Sequence, residues 1–349
     1  TGTPNGNNTH RNVIFRNGNV PDRAISYVET PSDQQLWTEL TAQCLEGIPG
    51  CDVLAIPHNS NLSSGAMFPS YIARFESAES ARQIAQLRNR MEPIMEVFQH
   101  KGNSECFNGL PDILGQTDEL CDMEQLRSIT AAADDADPQD TVRFCEADEI
   151  GEGGMQRQGC ISKNDFYRSV LLTGLQDRAT INVNSYKLGV IASTDTHISI
   201  AGATEEREWG GHLVPEVDLS QRLRKRDRFP LSLDANPGGL AGVWAVENSR
   251  DALFEALRSR EVFGTTGTRI RPRLFGGWEI KVNACELDDR IEHGYQNGSP
   301  MGGDFSTRPT GTKPRLLATA IQDPESAQLQ KLQIIKGWID AEGLSLIHI

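Results

Sequence analysis

Short apolar runs that end in polar loops recur along the first 275 residues. Cys51 to Pro57, CDVLAIP, runs into His58-Asn59 and reads as a buried parallel strand ending in a polar loop. Ser80 to Met91 has a helical period, and Pro93 to Gln99, PIMEVFQ, is the next strand, delivering the chain to His100-Lys101-Gly102-Asn103-Ser104-Glu105. Asp165 to Leu175 recovers the helical period, and Lys187 to Ser193, KLGVIAS, is a strand that runs directly into Thr194-Asp195-Thr196-His197. GGLAGVWAVE follows as a strand. Ser249 then N-caps a helix, SRDALFEALRSRE, with an apolar face of Ala252, Leu253, Ala256 and Leu257, and VFGTTGTRI is strand plus turn. This β-α-β-α alternation predicts an α/β domain over 1–275, a barrel or doubly wound sheet whose site forms at the C-terminal rim of the strands.

Two stretches depart from that pattern. From about 106 to 160 the chain is acidic and Gly-rich, with DDAD and GEGG, the signature of a long insertion outside the core. Beyond about 275 come FGGWEIKV, PRLLATAI and KLQIIKGWI, short strands spaced by Gly, Pro and Asp, which predict a small all-β, sandwich-like module over 276–343. The last run, Leu344 to Ile349, is what a common transposase adapter encodes in frame; it is read as a sequencing scar, and His348 is set aside. At the other end, TGTPNGNNTHRNVIF has no initiator Met, no charged n-region and no apolar h-region, so the chain is expected to start inside a folded unit.

Composition narrows the class. Thirty-four basic against 48 acidic residues give a formal charge of −14, a field that repels phosphate backbones and argues against nucleic acid or an anionic membrane surface as partner. The longest basic run is RLRKRDR at 222–228, and no segment approaches the roughly 18 apolar residues of a membrane span. Of the 7 cysteines, six fall into the sequence-local couples Cys44/Cys51, Cys106/Cys121 and Cys145/Cys160, and no C-x-x-C occurs. Local couples suit disulfides better than a structural zinc site, which places the protein in an oxidising periplasmic or extracellular compartment.

The sharpest chemical signal is S-T-D-T-H. A carboxylate (Asp195) and an imidazole (His197) two residues apart, just past an apolar strand, can approach one cation, and their mix of oxygen and nitrogen suits a divalent ion such as zinc or manganese. The ordinary alternative is a capping Asp beside a surface His. His58 ends another strand, after a Pro and before an Asn, and His10 precedes the strand-like NVIF. A barrel rim gathers strand ends from across the sequence, so His10, His58, Asp195 and His197 are the candidate metal ligands. Glu96, His100, Lys101 and Glu105 form a second polar group suited to orienting ligands, shuttling protons or touching substrate. Arg269, after Thr265-Thr266-Gly267-Thr268, offers a guanidinium to an anionic group. No G-x-S-x-G supports a Ser-His-Asp triad.

The segments THRNVIFR, DVLAIPHNSNLSSGAMF, EVFQHKGNSE, GVIASTDTH, GLAGVWAVENSRDALFEALRSREVFGTTGTRI, FGGW, PMGGD and LQIIKGW together resemble the family called domain of unknown function 3604, over nearly the whole chain. That family looks like a branch of the polymerase-and-histidinol-phosphatase (PHP) superfamily of metallohydrolases. The resemblance implies a distorted seven-stranded β/α barrel with up to three divalent metals (zinc, manganese or iron) at its rim. It implies a mid-barrel ligand at His10, the His of a Pro-His motif at His58, and a closing pair at Asp195 and His197. The superfamily's N-terminal His-x-His, Asp-His pair and Glu have no counterpart before His10, so the remaining ligands are expected upstream of residue 1 and the chain is expected to be a fragment.

The expected function is hydrolysis of an ester-like bond in a small molecule (phosphoester, carbamate or carboxylate ester) by metal-activated water, with Lys101, His100 or Arg269 stabilising developing negative charge. The rival expectation is a non-catalytic, metal-stabilised extracytoplasmic binding protein, favoured by a closed ligand shell; an open coordination position in a cleft favours the hydrolase. Substrate, metal identity and oligomeric state are not legible.

Overall fold

The computed structural model describes residues 4–115, 117–129, 142–205, 207, 209, 236–340 and 344–348; the DDAD run and the basic run at 222–228 lie outside them. β1 (Arg11–Phe15) pairs antiparallel with β2 (Val53–Pro57), Arg11 opposite Pro57. Between them lies α1 (Asp33–Leu40), started by a reciprocal capping box between Ser32 and Gln35. The parallel pairing expected of β2 is corrected here. All five of its residues are buried, with Val53 against α1 and Leu54 and Ile56 in the neighbouring core, and a strand buried on both faces has no periodicity that tells one pairing from the other.

After the short α2 (Tyr71–Arg74) and α3 (Ala78–Met91), β3 (Ile94–Gln99) enters and turns back as β4 (Gly102–Asn103). The insertion then supplies β5 (Ile113–Gly115), β6 (Arg143–Phe144) and β7 (Cys160–Ile161), the last two paired with each other. α4 (Tyr167–Ile181) leads into β8 (Gly189–Ala192), which pairs parallel with β3. β9 (Leu240–Val243), α5 (Arg250–Ser259) and β10 (Val262–Thr265) close this part, with β9 and β10 antiparallel. Ser249 caps α5 as expected, accepting from Ala252 N, although the most buried residue of its apolar face is Phe254. Leu54, Ile56, Ile94, Phe254 and Val262 share one core with Ile191, Val243 and Leu257, so β2, β3, β8, β9 and β10 gather against α5. Met95, Val97, Tyr71, Ala85, Val170 and Tyr186 form a second core under α2, α3 and α4. Among the described residues the strands fall into small sheets, and none closes into a barrel.

In the C-terminal part, β11 (Arg271–Gly277) is flanked by β12 (Ser299–Pro300) and β13 (Arg315–Ile321) in an antiparallel sheet. The sheet also carries α6 (Arg290–Asn297), absent from the expected all-β module. Ile291 packs on the Phe275 core, Tyr295 meets the Phe275 ring edge-on, and Gly294 sits where a Cβ would come within 2.6 Å of that ring, so only two residues of this 8-residue helix carry an apolar signal. β14 (Ile335–Ile339) pairs with β15 (Leu344–His348), which also pairs parallel with β5 of the insertion.

All three cysteine couples are disulfides, Cys44–Cys51, Cys106–Cys121 and Cys145–Cys160, with Cα separations of 5.3, 5.3 and 4.9 Å. Cys285 is free and exposed. No described helix is long and apolar enough to cross a membrane. The disulfides are compatible with an extracellular location.

Asp33, buried at the start of α1, accepts two hydrogen bonds from Arg74 (3.0 and 2.8 Å) and lies 3.8 Å from Arg11. Burial pulls its pKa up, but the Arg74 bonds and the two guanidinium charges prevail and hold it at about 2, below its ordinary 3.8. A depressed carboxylate contributes stability above its unfolded pKa and loses it as pH falls through the folded value. Asp33→Asn is therefore expected to lose about 2 kcal/mol at neutral pH. Urea denaturation of the two proteins across a pH series should show this gap closing below about pH 4, towards pH 2.

Candidate functional site

Two strand pairs deliver the polar residues. The β1/β2 register carries one step past Arg11 and Pro57, where His58 N donates to His10 O (3.3 Å) and the two imidazoles face each other with ring centroids 5.6 Å apart. Asn8 Nδ2 holds the departing chain by donating to His58 O (2.6 Å) and Asn59 O (3.1 Å). Asn59 there takes a left-handed φ of 58°, a conformation Asn tolerates better than most residues.

The β3/β8 pair does the same in parallel. Phe98 lies opposite Ala192, Ser193 N donates to Phe98 O (3.0 Å), and the chains then present His100 and Asp195 side by side. His100 Nε2 is 3.0 Å from Asp195 Oδ2, and Gln99 Nε2 donates to the same oxygen at 2.8 Å. The Lys101 ammonium donates to it too and lies 2.7 Å from His100 Nε2. Asp195 is itself left-handed (φ 52°), and the turn brings the His197 ring to 6.5 Å from that of His100. One ligand atom from each of His100, Asp195 and His197 lies within 4.8 Å of the others, with His100 buried, Asp195 half-buried and His197 exposed. The cluster is thus open on one side.

Glu96 joins the two halves. A register shift between Glu96 and Phe98 marks an irregularity in β3, the kind of feature that re-aims side chains next to sites. Its carboxyl accepts from the Ser193 hydroxyl and from Asn59 N (3.4 Å), and lies 3.9 Å from His58 Nδ1.

Burial dominates the electrostatics. It pushes the His58 pKa down to about 4 and lowers that of His10, against an upward pull from Asp195 on both, so both imidazoles are neutral at pH 7 with a lone pair to give. Burial pushes Glu96 up to about 8. Asp195 goes the other way: burial raises it, but the His100 hydrogen bond and the Lys101 charge more than offset this and keep it ionised.

These residues fit a divalent ion. Neutral imidazoles with an ionised carboxylate are the donors that zinc, manganese and iron share. His58 Nδ1 is buried without a hydrogen-bond partner, as are the amide oxygens of Asn8, Asn59 and Asn61. A positive charge already sits between His100 and Asp195 in the form of the Lys101 ammonium.

Of the four expected ligands, Asp195 and His197 meet in one group with His100, while His10 and His58 face each other as a separate pair outside that group; Lys101 lies against His100 and Asp195. His100 belongs to the possible ligand set itself, a change from the charge-stabilising role expected of it. Glu105 is directed elsewhere, to Arg168 (2.7 Å). Arg269 is exposed on a groove with Phe263 and Ile270, its backbone N bonded to Asp323 (2.7 Å). No described contact ties Glu105 or Arg269 to the cluster. Gln99, Ser193 and Asn8 were not anticipated, because nothing local distinguishes an amide or hydroxyl whose partner is 50 or more residues away.

The loop after His58 is clamped from the insertion. Arg127 donates to Asn61 O (2.8 Å) and to Asp165 Oδ2 (2.9 Å), while Asp165 Oδ1 accepts from Ser63 Oγ (2.8 Å) and Gly65 N (2.7 Å).

The described residues form a protein of mixed helices and small sheets with imidazoles and a carboxylate collected at strand ends. The chain belongs to the family described as Protein of unknown function (DUF3604), whose model matches residues 1–349. No curated protein and no solved structure matches it.

Arg127→Ala leaves the Asp165 carboxylate buried without its cation, which is expected to cost about 3 to 5 kcal/mol in chemical denaturation. A loss under about 1 kcal/mol would mean that water reaches Asp165 and the clamp is not a buried one.

Proposed function

We propose that this protein is a metal-dependent hydrolase of an ester-like bond in a small molecule, a phosphoester, carbamate or carboxylate ester, built on a PHP-like distorted β/α barrel. The observation that carries the reading is the meeting of His100, Asp195 and His197 at adjoining strand ends, beside the neutral His10–His58 pair. His100, Asp195 and His197 would hold one divalent ion, zinc, manganese or iron, with His58 and His10 as donors towards an adjoining position. An ion so held supplies an acidified water and polarises the oxygen under attack.

The chain's own residues do the rest. Gln99 and Lys101 fix the Asp195 carboxylate, and the Lys101 ammonium is available to negative charge developing on the substrate. Glu96 keeps a proton on its carboxyl up to about pH 8 and lies against His58 Nδ1, where it can orient that ring. The exposed His197 leaves the cluster accessible from solvent, which favours a catalytic site over a closed structural one. The disulfides suit a periplasmic or extracellular enzyme, and the net charge of −14 disfavours nucleic acid as substrate.

The test is elemental analysis of the purified protein, followed by a screen of phosphate, carbamate and carboxylate esters with and without chelator. Asp195→Asn and His58→Ala are expected to lose bound metal and to lower turnover by about a hundredfold. Retention of both metal and turnover in either variant would remove that residue from the site. Metal bound with no turnover of any ester class would favour the binding-protein reading.

A further inference from the structure

We infer that the cavity beside the cluster, about 500 Å³ in volume, is a binding site for an uncharged aromatic or branched alkyl group of a small molecule. Its floor is Phe98 and Ala192, opposite each other in the β3/β8 pair. They lie two and three residues before His100 and Asp195, at the ends of the strands that lead into the cluster. Leu120 and Met123 of the insertion, stapled by Cys106–Cys121, line it together with Thr266 and Ile270.

The lining selects the ligand by charge. Among the described residues it contains two carboxylates, Glu105 and Glu124, and no lysine, arginine or histidine, so nothing described there pairs with an anionic group. Nor does the lining offer a cation a buried partner: Glu105 is paired with Arg168 (2.7 Å), and Glu124, held by Asn236 Nδ2 (2.9 Å), is exposed and keeps its charge in water.

It selects by hydrogen bonding as well. The Thr265 hydroxyl donates to Thr268 O (2.6 Å), the Thr204 hydroxyl to Gly267 O (3.1 Å), and Asn103 Oδ1 accepts from Glu105 N (2.7 Å). The Thr265, Thr204 and Asn103 groups bonded in this way offer little to a polyol, which leaves the Thr266 and Thr268 hydroxyls for a single polar atom, whereas apolar surface gains from every part removed from water. Met123 and Leu120, 60% and 42% exposed, are the large apolar side chains left uncovered in this lining. Binding here does not rest on the hydrolase reading; where that reading holds, the cavity takes the substrate's uncharged group while the scissile bond lies at the cluster.

The experiment is titration of the full chain with 2-naphthol, followed by its fluorescence. Saturable binding is expected. Met123→Arg, which places a charge in the lining, and Thr266→Trp, which fills the space, should each weaken it by about tenfold or more, with unchanged melting temperatures. His197→Ala should bind the probe as the unaltered protein does, whatever becomes of metal or turnover. Absence of saturable binding, or undiminished binding in both lining variants, would overturn the inference; loss in His197→Ala would place the probe at the cluster and overturn it equally.

Discussion

The parallel pairing of β3 with β8 is the constraint on which the cluster depends. Phe98 opposite Ala192, with Ser193 N bonded to Phe98 O, leaves His100 and Asp195 no choice but to emerge together, 95 residues apart in sequence. A slip of one residue would send alternate side chains to the other face and separate them. The same register sets Glu96 against Ser193, and Glu96 in turn reaches His58 on the neighbouring strand. One ladder therefore aligns both halves of the site.

Behind the site, charge is held without water by geometry. Arg88, fully buried, has its guanidinium 4.6 Å from the Tyr186 ring centroid and 4.7 Å from that of Phe68, and it bonds Glu92 at 2.7 Å. Glu92 also accepts from Arg11 (2.7 Å) and Trp37 (2.9 Å), so a chain of polar contacts runs from the helix core to the residue beside His10. Such a network is costly to leave half-made and rigid when complete. At the site itself the same burial keeps imidazoles neutral and leaves His58 Nδ1 without a partner. Stability in the one place and latent binding capacity in the other arise from the same exclusion of water.

What could be read from the sequence follows the range of the interactions involved. The three disulfides were legible because their partners are 7 or 15 residues apart, and α5 because its cap and apolar face lie within one helix. Asp195 and His197 declared themselves through a two-residue spacing past an apolar strand. His100 as a possible ligand, Gln99 and Ser193 as holders of the carboxylates, and Arg127 as the clamp on the His58 loop depend on partners 66 to 97 residues away and carry no local mark. The antiparallel partner of β2 was hidden for a related reason, since burial on both faces erases the alternation that would betray it. Helix α6 was hidden because it has only 8 residues, and its face on Phe275 is made by Ile291, Gly294 and Tyr295, too few apolar positions to set a period.

The most direct measurement is anomalous diffraction from a crystal of this protein grown with zinc or manganese. A peak is expected bounded by His100, Asp195 and His197, with nitrogen and oxygen ligands at about 2.0 to 2.2 Å for zinc and the Lys101 ammonium displaced from Asp195. A metal peak elsewhere, with Lys101 still seated between His100 and Asp195, would contradict it.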